Sequence, residues 1–406
     1  MGFLFPFSDK ILPFGGTVSV LGSTGTIGIN CLKIISEIHS KNRPFSVQSL
    51  VAGQNYKLLA EQTRIYQPKI IALANKHFYK DLKSELFDYQ GEIICGDDGV
   101  LYAASQPADY VMSAIVGTAG LKPTMASAHR GTVIALANKE CLVTGGACFL
   151  NHISKQGAFL FPVDSEHNAL YMLMKSLNKQ DISHYYITAS GGAFRDIPLS
   201  EFKNITHHQA QTHPNWNMGA KICVDSATMM NKGLELIEAV LLFGLNPKEC
   251  DAVLHPQSVV HGMVTNYNGE MHLLASMPDM QIPIWSSLNY GSDMKMQRIF
   301  NPFDFQNISF SSIDKARYPL FYLAKDMLSQ GGYMPAILNA VNEVAVDLLC
   351  QNKISFAFMA GFVQNSIDKV QNDLKNESFD LSNIADILKI DSLARHITLS
   401  NHTVTS

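Results

Sequence analysis

The sequence predicts an α/β protein in three parts: a doubly wound N-terminal domain, a central mixed α/β block and a C-terminal helical bundle. Three observations carry that prediction. A short β-branched run gives way to a glycine-rich turn and then to apolar residues at helical spacing near the start of the chain. More short apolar runs then alternate with helical or polar segments as far as Pro162, the pattern of a parallel sheet covered on both faces. Beyond Ser312, apolar residues recur every three or four positions with no strand signal between them. The 406 residues fit this division, since about 150 residues per domain gives two or three domains.

Taken in order, Thr17 to Leu21 reads as a strand ending at Gly22, and Ile27, Cys31, Ile34, Ile35 and Ile38 mark the buried face of the following helix. Phe45 to Ala52, Ile70 to Ala74, Tyr110 to Ser113 and Thr132 to Ala135 are further strand candidates. The second block opens at Val163-Asp-Ser-Glu-His-Asn168, contains strand-like Tyr185 to Thr188 and Ala252 to Leu254, and is rich in Gly, His and Asn around 190 to 233. The expected boundaries are 1–163 for the first domain, 164–300 for the second with a flap at 190–220, a linker at 301–312, and helices over 313–406.

Apolar residues make up 47% of the chain and charged residues 16%, too apolar for intrinsic disorder. A net charge of −4 provides no global attraction to nucleic acid or anionic lipid, so any anionic ligand must be met by local groups. The seven cysteines are odd in number and contain no CxxC pair, which argues against a disulfide framework or a thiolate zinc site and points to a reducing, cytoplasmic setting. Residues 2 to 7 are apolar but lack a basic flank, so no signal peptide is expected, and Pro6 breaks the myristoylation pattern. No window of about 20 residues is continuously apolar, so no transmembrane helix is expected.

Gly22-Ser-Thr-Gly25-Thr-Ile-Gly28 lies where strand gives way to helix, so backbone N–H groups and the helix N-terminus can hold a pyrophosphate. The next strand ends Val51-Ala-Gly-Gln-Asn55 with no Asp or Glu at its tip. An acid there would bind the 2′-hydroxyl of NAD and repel the 2′-phosphate of NADP, so its absence favours NADP. Asn138-Lys139-Glu140 follows an apolar run, at the carboxyl end of a strand where open α/β sheets bind ligands.

Asp164 and Glu166 follow Phe159-Leu-Phe-Pro-Val163 at i, i+2, and in extended geometry both project to one side. A solvated turn has the same spacing, so a metal site needs another carboxylate. Glu235 and Glu238 fall on the first turns of a predicted helix, with Ser226, Thr228, Asn231 and Lys232 just before it. If one of these glutamates joins Asp164 and Glu166, the all-oxygen set suits Mg²⁺ or Mn²⁺ better than zinc. Thr188 to Arg195 ends a strand in a Gly-Gly turn, where the Ser190 hydroxyl and backbone N–H groups can meet an anionic oxygen. His213-Pro-Asn-Trp216-Asn-Met-Gly219 has the make-up of a lid over a ligand, with Trp216 as apolar cover. His255 and His261 have no ligand spacing and stay outside the metal set.

These blocks, with His255 to His261 and Ala336 to Ala345, occur in one order along nearly the whole chain, which resembles the 1-deoxy-D-xylulose 5-phosphate reductoisomerases of non-mevalonate isoprenoid synthesis. The resemblance implies a Rossmann-like NADPH domain followed by a metal- and substrate-binding domain. It implies metal ligation by Asp164, Glu166 and Glu235, with Mn²⁺ or Mg²⁺ as the ion and Co²⁺ a further option. Ser190, Ser226, Asn231 and Lys232 would bind the substrate phosphate, with His213 and Trp216 in the flap and Ser165 and Lys139 near the reacting end. The implied catalytic group is Lys139, Glu166, His213 and Glu235. NADPH would meet Thr24, Gly25, Thr26, Ile27, Gly53, Gln54, Asn55, Asn138, Glu140 and Gly219. Gln54 stands where many members carry a basic residue, and Ala220 where several carry Arg or Lys. The resemblance also implies a homodimer. A semialdehyde dehydrogenase, the main alternative reductase, needs an acylating cysteine, and no cysteine here has a recognisable nucleophile setting.

Overall fold

Thr17–Leu21 forms β1, and its burial explains its composition: Val18, Val20 and Leu21 are sealed on both faces, as a central parallel strand requires. The computed structural model describes residues 16–40, 45–212, 219–289, 295–301, 303 and 307–405. From β1 the chain passes through α1 (Thr26–Ser40), β2 (Ser46–Ala52), α2 (Tyr56–Tyr66), β3 (Ile70–Leu73), α3 (Tyr79–Glu85), β4 (Glu92–Cys95) and α4 (Gly96–Ala104). It continues with β5 (Tyr110–Ser113), α5 (Leu121–Ala126), β6 (Val133–Leu136), α6 (Lys139–Gln156), β7 (Phe159–Pro162) and α7 (Ser165–Ser176).

The seven strands form one sheet in the order β4-β3-β2-β1-β5-β6-β7, and every pairing is parallel. Strand order reverses between β1 and β5, and open α/β sheets bind ligands outside the carboxyl ends of the strands at such a reversal. The expected doubly wound domain is therefore present. Its strands run close to the predicted bounds, with β1 and β5 matching them; β4, half-exposed at the sheet edge, was not expected.

The remaining elements are β8 (Ile182–Ala189), α8 (His207–Ala210), α9 (Ala220–Ala227), α10 (Met230–Phe243), β9 (Cys250–Leu254), β10 (Val260–Asn266), β11 (Met271–Ala275) and α11 (Gln281–Leu288). They end with α12 (Pro319–Gln330), α13 (Met334–Cys350), α14 (Phe356–Leu374) and α15 (Ile384–Thr405). A four-stranded sheet runs β11-β10-β8-β9, parallel between β8 and β9 and antiparallel elsewhere. Neither β10 nor β11 was expected, because the first carries His261 and Gly262 and the second lies at an exposed edge.

The chain forms two units. Met1–Cys141, Phe149–Asn168 and Asp279–Ile299 make the first, which holds the parallel sheet; Leu142–Cys148, Ala169–Pro278 and Phe300–Ser406 make the second. The second unit's core joins α9, α10 and the C-terminal helices through residues such as Val224, Leu234, Ile237, Leu320, Ile337, Val341, Val363 and Ile390. Among the described residues no helix is long and apolar enough to cross a membrane.

Candidate active site

In the first unit the glycine loop lies where strand order reverses. Gly22 has φ +89°, and a Cβ there would lie 2.5 Å from the carbonyl oxygen of Ala114, just past the end of β5. A Cβ on Gly28 would lie 2.3 Å from the Gly22 oxygen, so the turn and the helix can approach only as glycines. Gly22 and Ser23 donate to the Val51 carbonyl, which pins the loop to β2. Thr24 and Gly25 form the turn and Thr26 and Ile27 open α1, whose first amides have no partner within the helix. Nothing lies within 4 Å of a Cβ placed on Gly53. Exposed Gly53 and Gln54 lead to Asn55, whose side chain caps α2 by accepting from Leu58 N at 3.2 Å. A glycine turn that runs into a helix N-terminus, with open space at Gly53 on the neighbouring strand end, fits a dinucleotide pyrophosphate.

Asn138, Lys139 and Glu140 are all buried where β6 leads into α6. Asn138 caps α6 by accepting from Cys141 N at 3.1 Å and donates to the carbonyls of Gly117, at 3.0 Å, and Ile115. Its side chain thereby sets the loop after β5. Lys139 Nζ lies 2.8 Å from Asp164 Oδ2.

The extended geometry expected for Asp164 to Glu166 is not present. Asp164 O accepts from Asn168 N at 2.8 Å, so Asp164 takes the capping position and Ser165 and Glu166 begin α7. Asp at that position favours a helix start, and the segment has no β-branched residue to oppose it. Ser165 Oγ donates to Glu166 Oε2 at 2.6 Å.

In the second unit Ser190 follows β8, and Gly191 and Gly192 turn the chain with φ +86° and +69°, as the expected Gly-Gly turn requires. Ser190 Oγ accepts from Gly192 N at 3.2 Å. Ser226 lies in the last turn of α9. Asn231 and Lys232 were expected before the helix but are inside it, because Met229 adopts φ +61° and reverses the chain so that α10 starts at Met230. Lys232 pairs with Glu235 one turn on, and Asn231 donates to the same carboxylate. Glu238 is also buried.

His213 and Trp216 lie outside the described residues; Gly219 is exposed and precedes α9. His255 is structural: its Nδ1 donates to Ser309 O at 3.0 Å, and its Nε2 accepts from the amides of Val259 and Val260 at 3.2 and 3.1 Å. Burial lowers its pKa, in keeping with that acceptor role. Asp225 was not among the expected site residues, although a carboxylate four residues after Lys221 is a legible signal; it is sealed from solvent and bonded to Lys221 and Asn342.

The fold and these residues define a Rossmann-type α/β protein whose second unit carries a buried lysine–carboxylate site. Three family models match: one described as 1-deoxy-D-xylulose 5-phosphate reductoisomerase over residues 18–146, that enzyme's C-terminal domain over 160–243, and a DXP reductoisomerase C-terminal domain over 275–397. The chain is 39% identical over 358 residues to the 1-deoxy-D-xylulose 5-phosphate reductoisomerase of Sinorhizobium fredii, covering 87% of this chain and 90% of that protein. Among solved structures, that of the Zymomonas mobilis reductoisomerase in complex with NADPH aligns with TM-score 0.85 at 36% identity, covering 96% of this chain and 99% of that one. A DOX-P reductoisomerase in complex with NADPH, fosmidomycin and magnesium aligns with TM-score 0.89 at 32% identity, covering 96% and 98%. The chain belongs to the 1-deoxy-D-xylulose 5-phosphate reductoisomerase family.

Proposed function

We propose that this protein rearranges and reduces 1-deoxy-D-xylulose 5-phosphate to 2-C-methyl-D-erythritol 4-phosphate with NADPH and a divalent metal. Besides the family relationship, one observation supports this: the buried Lys232 and Glu235, with half-buried Asn231, on one turn of α10, in the unit that also holds Ser190 and Ser226. At Cys31, Cys223, Cys250 and Cys350 an acylating role has no support, since burial pushes these thiols upward, away from the thiolate.

Lys232, Asn231, Ser190 and Ser226 hold the phosphate, so that binding energy remote from the reacting carbons positions them. Asp164, Glu166 and Glu235 hold Mn²⁺ or Mg²⁺, a hard cation suited to carboxylate oxygens. When bound, the cation supplies an electrophile for the substrate's oxygens and NADPH supplies the reducing equivalent. Lys139 orients a substrate hydroxyl, Ser165 lies beside it, and His213 and Trp216 close over the substrate and exclude water. Thr24 to Ile27, Gly53 to Asn55, Asn138, Glu140 and Gly219 receive the cofactor. Residues 1–163 serve as the NADPH domain, 164–300 as the catalytic domain, 301–312 as a linker and 313–406 as a helical domain.

The protein acts in the cytoplasm as a homodimer. Exposed Met271 and Leu273 share one face of β11, the unpaired edge of the four-stranded sheet, and support that reading. Leu273→Lys should lower the sedimenting mass to that of a monomer; an unchanged mass would remove this edge from the interface.

The central test is NADPH oxidation with 1-deoxy-D-xylulose 5-phosphate, with Mn²⁺, with Mg²⁺ and after chelation. Metal-dependent turnover is expected. NADPH binding without consumption in every condition would refute the assignment.

A further inference from the structure

We infer that Tyr318 and Asn342 are positioning residues for phosphate recognition: they hold the Ser190 turn and the Ser226 helix in the geometry that receives the phosphate. The inference rests on the phosphate reading of Ser190, Ser226, Asn231 and Lys232 given above.

A turn built from two successive left-handed glycines has wide conformational freedom and needs holding from outside. The Tyr318 hydroxyl donates to Gly191 O at 2.9 Å. Tyr318 is 1% exposed, and burial pushes its pKa up to about 12, so the group stays a donor at working pH. Arg195 donates to Ser190 O at 2.7 Å, and Arg317 to Phe194 O and Ile197 O at 2.8 and 2.7 Å. The carbonyls around the turn are thus held by two residues just before α12 and one of its own.

The turn rests on α9. A Cβ on Gly192 would lie 2.5 Å from Ser226 O and 2.7 Å from Ala227 Cα, so Ser190 and Ser226 stand on backbone segments in direct contact. The helix α9 is in turn tied to α13, because Asn342 Nδ2 donates to Asp225 Oδ1 at 2.8 Å while Lys221 Nζ lies 2.8 Å from Asp225 Oδ2. Asp225 and Asn342 are both sealed from solvent. Close packing extends to α10, where a Cβ on Gly233, beside Lys232, would lie 2.5 Å from Ala324 Cβ of α12. The C-terminal helices therefore reach every segment that carries a phosphate-binding side chain, and preorganisation of this kind sets how well a polar site binds.

The test compares Tyr318→Phe, Asn342→Leu and Ser226→Ala in the full-length protein, with Val363→Ala as a control that loosens the same helical core. KM and kcat for the substrate, inhibition by inorganic phosphate, NADPH affinity and Tm are measured for each. Tyr318→Phe and Asn342→Leu should raise KM and the phosphate inhibition constant about tenfold, the scale of one lost buried hydrogen bond. Their kcat and NADPH affinity should stay within about twofold of wild type, and Val363→Ala should lower Tm without moving KM. The exchanged pair Asp225→Asn with Asn342→Asp should recover KM relative to Asn342→Leu. If Asn342→Leu does not fold, Tyr318→Phe decides alone. Unmoved KM and phosphate inhibition in Tyr318→Phe, with Ser226→Ala impaired, overturns the positioning role. Unmoved values in Ser226→Ala overturn the phosphate reading itself and this inference with it.

Discussion

Lys232 and Glu235, one turn apart on α10, have side chains only 5% and 3% exposed. A carboxylate buried that deeply costs several kcal/mol unless a cation faces it, and the lysine meets that need within its own helix. Glu235→Gln keeps the shape and removes the charge. Turnover should fall more than about a hundredfold, beyond what loss of a supporting group alone costs. NADPH binding, proposed for the glycine loop of the other unit, should be unchanged by fluorescence titration, and its loss would contradict the assignment of Glu235 to the metal. His255 makes a prediction about pH. Burial holds its folded pKa below the unfolded value of about 6.5, so neutral His255 contributes stability that is present above that pH and lost as pH falls through the folded value. Denaturant midpoints of wild type and His255→Gln should therefore converge between about pH 7 and pH 5; parallel curves would show that His255 is not the titrating group. Residues with a chemical reason to cluster, such as Asp164, Glu166, Lys232 and Glu235, were legible as types. Partners set by tertiary packing, such as Tyr318 with Gly191 or Asn342 with Asp225, were not, because 127 and 117 residues separate them.

Elements whose local preference and burial agree were read correctly. β1 and β5 are continuous apolar runs because a central parallel strand is buried on both faces. β4 has only Glu92, Ile93, Ile94 and Cys95, partly exposed at an edge, and gives little pattern to read. Likewise, the α7 start at Ser165 was lost to an assumed extended segment, and α10 began early because Met229, a non-glycine residue, takes a left-handed conformation that no pattern announces. The glycine loop was legible because its need is steric. Adding a methyl at Gly28 puts carbon 2.3 Å from the Gly22 oxygen and 2.6 Å from Ser23 Cα, so the first turn of α1 must move off the loop. Gly28→Ala should weaken NADPH binding more than about tenfold, since a small displacement spoils a preorganised anion site. Inhibition by inorganic phosphate, which reads the other unit, should be unaffected. Normal NADPH affinity in Gly28→Ala would mean that the pyrophosphate does not lie on this turn.

Across the whole molecule, two of the three carboxylates assigned to the cation, Asp164 and Glu235, are not left to the cation for their charge balance. In the first unit Asp164 faces Lys139 at 2.8 Å, and in the second Glu235 faces Lys232. Each unit also has a core of its own, the parallel sheet in one and the helical cluster in the other. Small structural-metal domains behave differently, since there the ion supplies most of the folding free energy and chelation unfolds the chain. Removing the metal here should therefore separate activity from stability. Dialysis against a chelator should abolish turnover, restored by adding Mn²⁺ or Mg²⁺, while Tm falls by no more than about 2 °C, the shift of roughly 1–2 kcal/mol in a chain this size. A large drop in Tm on chelation, with loss of helical circular dichroism at room temperature, would show that the lysines do not balance these carboxylates and that the ion is part of the fold.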